Sequence, residues 1–126
     1  MKTHILCLGD SNTHGYCADP NDCADHGIRF NEEERWTCRL QKALGEEYLV
    51  TEEGLSGRTT VFVDPIHESM DALSVIYALL KSHEVIDLLI IMLGTNDVKE
   101  RFGANAACIA AAVSYTHLTL PTICSV

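Results

Sequence analysis

Residues 3–11 of the chain read Thr-His-Ile-Leu-Cys-Leu-Gly-Asp-Ser, a short apolar run that is broken by Gly9. This pattern predicts a buried strand that enters a tight turn. Ser11 then lies at the start of a helix-like turn, where backbone N–H groups point outward and favour developing negative charge. A hydroxyl there becomes a nucleophile if a base reaches it, although a plain turn with Ser11 or Asn12 as N-cap is the commoner structure.

The rest of the chain alternates between strands and helices. Two further apolar runs, at residues 48–50 and 86–93, predict strands, and residues 32–44, 69–81 and 105–112 predict helices. The run at residues 86–93 is apolar almost throughout, which is typical of a parallel strand that is buried on both faces. This alternation predicts an α/β sheet built from right-handed βαβ units.

The two longer helical segments each have an apolar face. In residues 32–44 the apolar stripe consists of Trp36, Leu40 and Leu44, acidic residues fill the first turn, and Gly45 can end the helix. In residues 69–81 the side chains that share a face are Met70, Leu73, Ile76, Tyr77 and Leu80.

Composition narrows the class of protein. The chain has 126 residues, a formal net charge of −9, 47% apolar residues and 21% charged residues, which are the values of a soluble globular domain. Because Lys and Arg are not clustered, we expect no nucleic-acid partner. No apolar run approaches the roughly 20 residues of a membrane span, so we expect no membrane partner. The first residues lack a signal-peptide pattern, which predicts a cytoplasmic protein.

Six cysteines are dispersed along the chain without a Cys-x-x-Cys pair. In a cytoplasmic protein this distribution favours free thiols over disulfides. Cys17, Cys23 and His26 fall in residues 16–31, a stretch rich in Asp, Asn and Gly that predicts a long surface loop. Their spacing matches no usual zinc site and no second ligand pair follows, so we expect neither a metal nor another cofactor.

Candidate chemistry lies in the loops, because function in open α/β sheets is found after the carboxyl ends of strands. Two such loops carry Gly-Asp-Ser at residues 9–11 and Gly-Thr-Asn-Asp at residues 94–97, and a loop between them in the sequence carries Gly57. Ester hydrolysis requires a nucleophile and hydrogen-bond donors aimed at the oxyanion. A serine hydroxyl, the N–H of Gly57 and the amide of Asn96 can supply these groups.

These blocks, in this order and separation, resemble those of the SGNH or GDSL-like hydrolases. The family's blocks are Gly-Asp-Ser, a loop with an oxyanion glycine, and Gly-x-Asn-Asp. The resemblance implies that Ser11 is the nucleophile and that the Ser11 N–H, the Gly57 N–H and the Asn96 side chain are the oxyanion donors. Asp10 is expected to brace the turn that presents Ser11, and Asp97 to hold the loops by hydrogen bonds. We expect the three donors to converge at one rim of the sheet, within reach of a single carbonyl.

The fold that we expect is a flavodoxin-like three-layer α/β/α sandwich, with its first three strands in the order 2-1-3 and incomplete at the C-terminus. The sequence of residues 52–60 and 90–97 most resembles the arylesterase and acyltransferase branch of the family. The resemblance implies that the protein acts on small esters. The expected partners are therefore a small ester and water or an alcohol acceptor, and a homo-oligomer is left open for the full-length protein. The alternative function is a non-catalytic α/β domain that binds a small ligand.

The family's fourth block, an Asp-x-x-His that provides the base and its orienting acid, is absent. Residues 64–67 read Asp-Pro-Ile-His, but they precede the third block, so we interpret this match as coincidence. His117 has Ser114 where the acid should stand. Without a base the hydroxyl of Ser11 is a weak nucleophile, so we expect this chain to be inactive.

The end of the chain has an unusual composition. Residues 113–122 read Val-Ser-Tyr-Thr-His-Leu-Thr-Leu-Pro-Thr, which resembles one reading frame of a transposase adapter used in sequencing libraries. We therefore expect residues 1–112 to be the N-terminal part of an SGNH hydrolase domain and residues 113–126 to be a non-native tail that packs poorly. The alternative is a genuine terminal strand at residues 115–120.

Overall fold

The computed structural model describes residues 1–118 and shows a three-stranded parallel sheet. Strands β1 (Thr3–Gly9), β2 (Tyr48–Gly54) and β3 (Leu88–Met92) lie in the order β2-β1-β3. Both outer strands pair with β1 in parallel orientation. The predicted α/β class and the predicted strand order 2-1-3 are therefore confirmed.

The chain divides into two compact units, each of which is described by itself. The first comprises Met1–Ser56 and Val85–Met92 and contains the sheet, and the second comprises Gly57–Glu84 and Leu93–Val126. The helices are α1 (Ser11–His14) and α2 (Trp36–Leu44) in the first unit and α3 (Ala72–His83) and α4 (Ala106–Leu118) in the second.

Strand β1 forms the centre of the first unit. Its side chains from Ile5 to Leu8 are at most 5% exposed. The buried His4 ring lies at the start of the strand, with Nδ1 2.8 Å from the carbonyl oxygen of Val85 and Nε2 2.7 Å from the hydroxyl of Thr51. His4 therefore links β1 to β2 on one side and to the segment before β3 on the other, with both of its ring nitrogens hydrogen-bonded.

Strand β3 does not have the burial that its composition predicts. Leu88 and Met92 are 50% and 44% exposed, and the three residues between them are half-buried. Within residues 1–118, β3 pairs with β1 alone and is therefore an edge of the sheet. The prediction of a strand buried on both faces is wrong here, because the burial of an apolar strand depends on what covers it.

Helix α2 begins at Trp36, four residues later than the prediction of residues 32–44. The side chain of Asn31 accepts the N–H of Glu33 at 2.9 Å, and the carboxylate of Glu34 accepts the N–H of Asn31 at 3.1 Å. The acidic residues therefore form a side-chain-capped turn ahead of the helix and not its first turn.

The long loop predicted at residues 16–31 closes on itself, because Tyr16 and Arg29 form an isolated antiparallel bridge. Cys17 and Cys23, each 2% exposed, lie in its interior. The five cysteines within residues 1–118 are free thiols. In that part of the chain, no three metal-ligating side chains cluster closely enough to hold an ion.

In the second unit, α3 begins at Ala72, three residues later than predicted. Asp71 is its N-cap, and the Asp71 carboxylate accepts the N–H of Ser74 at 3.0 Å. Ile76 is 2% exposed, as its place on the predicted apolar face requires. Tyr77, which was expected on the same face, is 60% exposed, so the buried face is narrower than the sequence pattern predicts.

Helix α4 continues to Leu118 and so includes residues 113–118. The alternative of a terminal strand at residues 115–120 is wrong for residues 115–118, and its remainder lies outside the described residues. Thr116 is fully buried, so the expectation of poor packing is not met at that position. The non-native origin of residues 113–126 stays a prediction. No helix among the described residues is long and apolar enough to cross a membrane.

Candidate functional site

The Ser11 turn, residues 9–15, follows the carboxyl end of β1 in the first unit. Ser11 is the first residue of α1 and is half-buried. Asp10 is 1% exposed and is the N-cap of α1, where its carboxylate accepts the N–H of Asn12 at 3.0 Å. The backbone carbonyl of Asp10 accepts the N–H groups of Thr13 and His14 at 3.1 and 2.9 Å. Asp10 thus engages three successive N–H groups of the turn that presents Ser11.

Two glycines allow α1 to approach the strand ends closely. A Cβ at Gly54, the last residue of β2, would lie 2.6 Å from the carbonyl carbon of Thr13 and 2.7 Å from the Cα of His14. A Cβ at Gly9 would lie 2.6 Å from the Cβ of Thr13 and 3.1 Å from the carbonyl oxygen of Met92. Because most of these atoms belong to the backbone, direct packing at the two glycines sets the position of the Ser11 turn.

Residues 57–60 of the second unit are held at the start of α3. The N–H of Thr59 donates to the carbonyl of Met70 at 2.9 Å, and the carbonyl of Thr59 accepts the N–H of Ala72 at 2.9 Å. Gly57 has φ of +88°, in the region that favours glycine, and a Cβ there would lie 2.8 Å from the end of the Met70 side chain. The Gly57 loop is therefore tied to the N-terminus of a helix.

The Asn96 turn, residues 94–98, contains a single turn of 3-10 helix. Asn96 is half-buried, and its Nδ2 donates to the carbonyl of Arg58 at 3.0 Å. Asp97 is 0% exposed, and its two carboxylate oxygens accept the backbone N–H and the hydroxyl of Thr60 at 3.0 and 2.7 Å. These bonds bring the second and third sequence blocks together within the second unit.

The Asp-x-x-His match at residues 64–67 does not form an acid–base pair through hydrogen bonding. The carboxylate of Asp64 accepts the N–H of Ile66 at 2.9 Å and a guanidinium N–H of Arg101 at 2.6 Å. The N–H of Ile66 lowers the pKa of Asp64, burial opposes this, and Arg101 lowers the pKa further, so that the net shift is downward. Asp64 is thus engaged with other donors, and His67 is exposed.

A pocket of about 270 Å³ in the first unit lies along α2 and β2, and Ser11 does not line it. Glu52 lies in its wall and accepts hydrogen bonds from Arg35 at 2.8 Å and from the hydroxyl of Thr37 at 2.6 Å. Burial opposes ionisation of Glu52, but the bonds from Arg35 and Thr37 outweigh it and lower the pKa of Glu52. This carboxylate is a structural ion-pair partner in the first unit.

The structure places Ser11 in the first unit and Gly57 and Asn96 in the second. Their convergence on one carbonyl, and their catalytic roles, stay predictions. Sequence reasoning assigned no role to Thr60 or Gly54. A glycine at the end of a strand is a signal that could have identified Gly54, whereas Thr60 has no signal apart from its place within the second block.

Residues 7–121 match the model of the GDSL-like lipase/acylhydrolase family. The solved structure of the M. smegmatis aryl esterase is 40% identical, with a TM-score of 0.80, over 89% of this chain and 51% of that one. A carbohydrate acetylesterase from Sinorhizobium meliloti is 35% identical, with a TM-score of 0.88, over 97% of this chain and 56% of that one. An esterase of the SGNH-hydrolase family is 26% identical, with a TM-score of 0.64, over 90% of this chain and 50% of that one.

No curated protein matches the chain at a significant level. The chain spans about half the length of the solved structures that it matches.

Proposed function

Because the chain belongs to the GDSL-like lipase/acylhydrolase family, we propose that the full-length protein hydrolyses small carboxylic esters through an acyl-serine on Ser11. The observation that carries this proposal is the placement of Ser11, half-buried at the start of a tight turn off the central strand and preceded by the buried Asp10. The names of two similar solved structures, an aryl esterase and a carbohydrate acetylesterase, support a small ester as the substrate.

In the proposed reaction, the Ser11 hydroxyl oxygen attacks the ester carbonyl carbon. The hydroxyl proton passes to a base that the family pattern supplies from a later Asp-x-x-His block, and then to the departing alcohol as the carbon–oxygen bond breaks. Water or an alcohol next attacks the acyl-serine, which releases the acid or a new ester and restores Ser11. These steps require no metal or cofactor.

The negative oxygen of the tetrahedral intermediate is assigned to three donors, the N–H groups of Ser11 and Gly57 and the amide of Asn96. In the Ser11 turn, the three N–H groups that follow Ser11 are already bonded to Asp10, so the Ser11 N–H is the donor that we assign. In the second unit, the Asn96 amide is anchored on the carbonyl of Arg58, the residue after Gly57. Both arrangements support preorganised donors, which act most strongly when no reorganisation is needed.

A fluorophosphonate probe applied to the full-length protein tests the proposal. We expect a covalent adduct on Ser11 that is lost in Ser11→Ala and retained in Ser56→Ala, because Ser56 is an exposed serine to which the proposal gives no role. Mass spectrometry of the labelled peptide gives the site. Absence of labelling at every pH would favour the non-catalytic ligand-binding domain.

We also propose that residues 113–126 are a non-native tail, on the strength of their sequence alone. The family match extends to residue 121, and α4 reaches Leu118. Sequencing of the genomic DNA downstream of the Ala112 codon tests the proposal. An in-frame continuation with an Asp-x-x-His block supports it, and the present tail in native DNA overturns it.

A further inference from the structure

The Asn96 side chain is anchored by one of its two amide hydrogens. A carboxamide NH₂ group has two donors, and Nδ2 of Asn96 uses one of them on the carbonyl of Arg58 at 3.0 Å. This bond restrains the plane of the amide. Because the two hydrogens of a planar amide lie at a fixed angle to each other, the bond also sets the direction of the second hydrogen. The direction of the donor therefore depends on the backbone positions of Asn96 and Arg58.

Both backbone positions are set by a buried hydrogen-bond pair next to them. Asp97 follows Asn96 in the same 3-10 turn, and Thr60 lies two residues after Arg58. Asp97 and Thr60 are both 0% exposed. The Asp97 carboxylate accepts the N–H of Thr60 at 3.0 Å and its hydroxyl at 2.7 Å.

These two bonds are strong for physical reasons. The acceptor is a carboxylate, and hydrogen bonds to charged groups are shorter and stronger than neutral ones. The site is buried, so a lost bond leaves a polar atom without water to replace its partner. The Asp97–Thr60 pair is thus a two-point clamp between the Asn96 turn and residues 57–60.

We propose that Thr60, acting through Asp97, is a positioning residue that sets the direction of the Asn96 amide toward the oxyanion. This inference rests on the proposed esterase function, and it assigns Thr60 no contact with the substrate. A small misplacement of a donor that acts only in the transition state lowers kcat while leaving substrate binding nearly unchanged.

Thr59 provides a matched control for this role. It is also a threonine with 0% exposure, and its hydroxyl donates a part-buried hydrogen bond to the backbone carbonyl of Phe62 at 2.6 Å. That bond does not involve Asp97 or Asn96. Thr60→Val and Thr59→Val therefore each remove one buried hydroxyl from the same loop, and only the first removes it from the clamp.

The experiment compares steady-state hydrolysis of para-nitrophenyl acetate by the full-length protein and its variants. We expect Thr60→Val to lower kcat by about tenfold to a hundredfold with KM within about twofold, a loss below that of removing an oxyanion donor outright. Thr59→Val should also lose thermal stability, because it removes a hydroxyl that donates a hydrogen bond, but it should keep kcat within about twofold. Thr60→Ser, which retains the hydroxyl, should restore most of kcat.

Equal losses of kcat in Thr60→Val and Thr59→Val, or no rescue by Thr60→Ser, would overturn the inference while leaving the esterase function intact. A wild-type protein that neither hydrolyses the ester nor reacts with the fluorophosphonate would overturn the function and the inference together. If Thr60→Val does not fold, Thr60→Cys keeps a weak donor of similar size and should give an intermediate kcat. A kcat equal to that of the wild type in Thr60→Cys would count against the clamp.

Discussion

The Ser11 turn and the Asn96 turn are held by different kinds of interaction. Apart from the Asp10 cap, the first depends on close packing, because Gly9 and Gly54 leave no room for a Cβ beside α1. The second depends on hydrogen bonds from side chains, with Asp97 bonded twice to Thr60. Packing against backbone does not tolerate an added atom, whereas a hydrogen-bonded pair tolerates a change that preserves donor and acceptor. The stability effect of a substitution should therefore depend on side-chain size at the two glycines that pack against the first turn. In the second turn it should depend on whether the hydrogen-bond donor and acceptor are retained.

The largest expected effect concerns what both turns have in common. Together they carry the proposed nucleophile and two of the proposed donors, but the proposed base is assigned to neither of them. We expect the chain of residues 1–126 to hydrolyse para-nitrophenyl acetate at least about a thousandfold more slowly than the full-length protein. Turnover by this chain that disappears in Ser11→Ala would show that a base is present, and His67→Ala would be the next measurement.

The dependence on size in the Ser11 turn is tested by Gly54→Ala. The added methyl would overlap the backbone of Thr13 and His14, so we expect a loss of about 3 kcal/mol in the free energy of unfolding. Gly27→Ala is the control, because a Cβ at Gly27 meets nothing within 4 Å and should change stability by less than about 0.5 kcal/mol. Equilibrium unfolding in urea measures both. Equal stability of the two variants would refute the packing argument.

The dependence on chemistry in the Asn96 turn is tested by two substitutions of Asp97. In Asp97→Ala the buried N–H and hydroxyl of Thr60 both lose their acceptor, which should destabilise the protein by about 2 kcal/mol. In Asp97→Asn one oxygen remains, and the threonine hydroxyl can rotate to accept from the new amide, so the loss should be about half as large. The same urea experiment distinguishes them, and an Asn variant as unstable as the Ala variant would contradict the prediction.

The smallest expected effect is on the dependence of stability on pH. It concerns Glu52 in β2, which lies in the first unit but outside the Ser11 turn. The folded-state pKa of Glu52 is lowered from its ordinary value of 4.5, so the stability it contributes is present above that pH and is lost as the pH falls below it. Glu52→Gln should therefore make the urea midpoint less dependent on pH between about 6 and 3.5. Val50→Ala, in the same strand, removes no charge and should leave the slope unchanged. An unaltered slope in Glu52→Gln would remove Glu52 as a source of acid sensitivity.

The sheet could be predicted because its signals are local. An apolar run that ends at Gly9, and a second that ends before Gly94, are sufficient to place β1 and β3 and to identify the loops after them. The start of α2 was missed, because acidic residues are common both in a first helical turn and in a capped turn before it. Only the bonds of Asn31 and Glu34 show which structure formed.

The sequence by itself determined the class of fold and the three blocks that carry the family resemblance, because each is set by residues close together in the chain. The strand order 2-1-3 was expected as part of that fold and not from any local pattern, since β1 pairs with strands that are distant in the sequence. Tertiary structure alone decided that β3 is half-exposed, that Gly54 packs against α1, and that Asp97 binds Thr60. Each of these depends on which distant residues meet. Thr60 and Asp97 lie thirty-seven positions apart, and no local pattern specifies that a buried carboxylate will find its donors there.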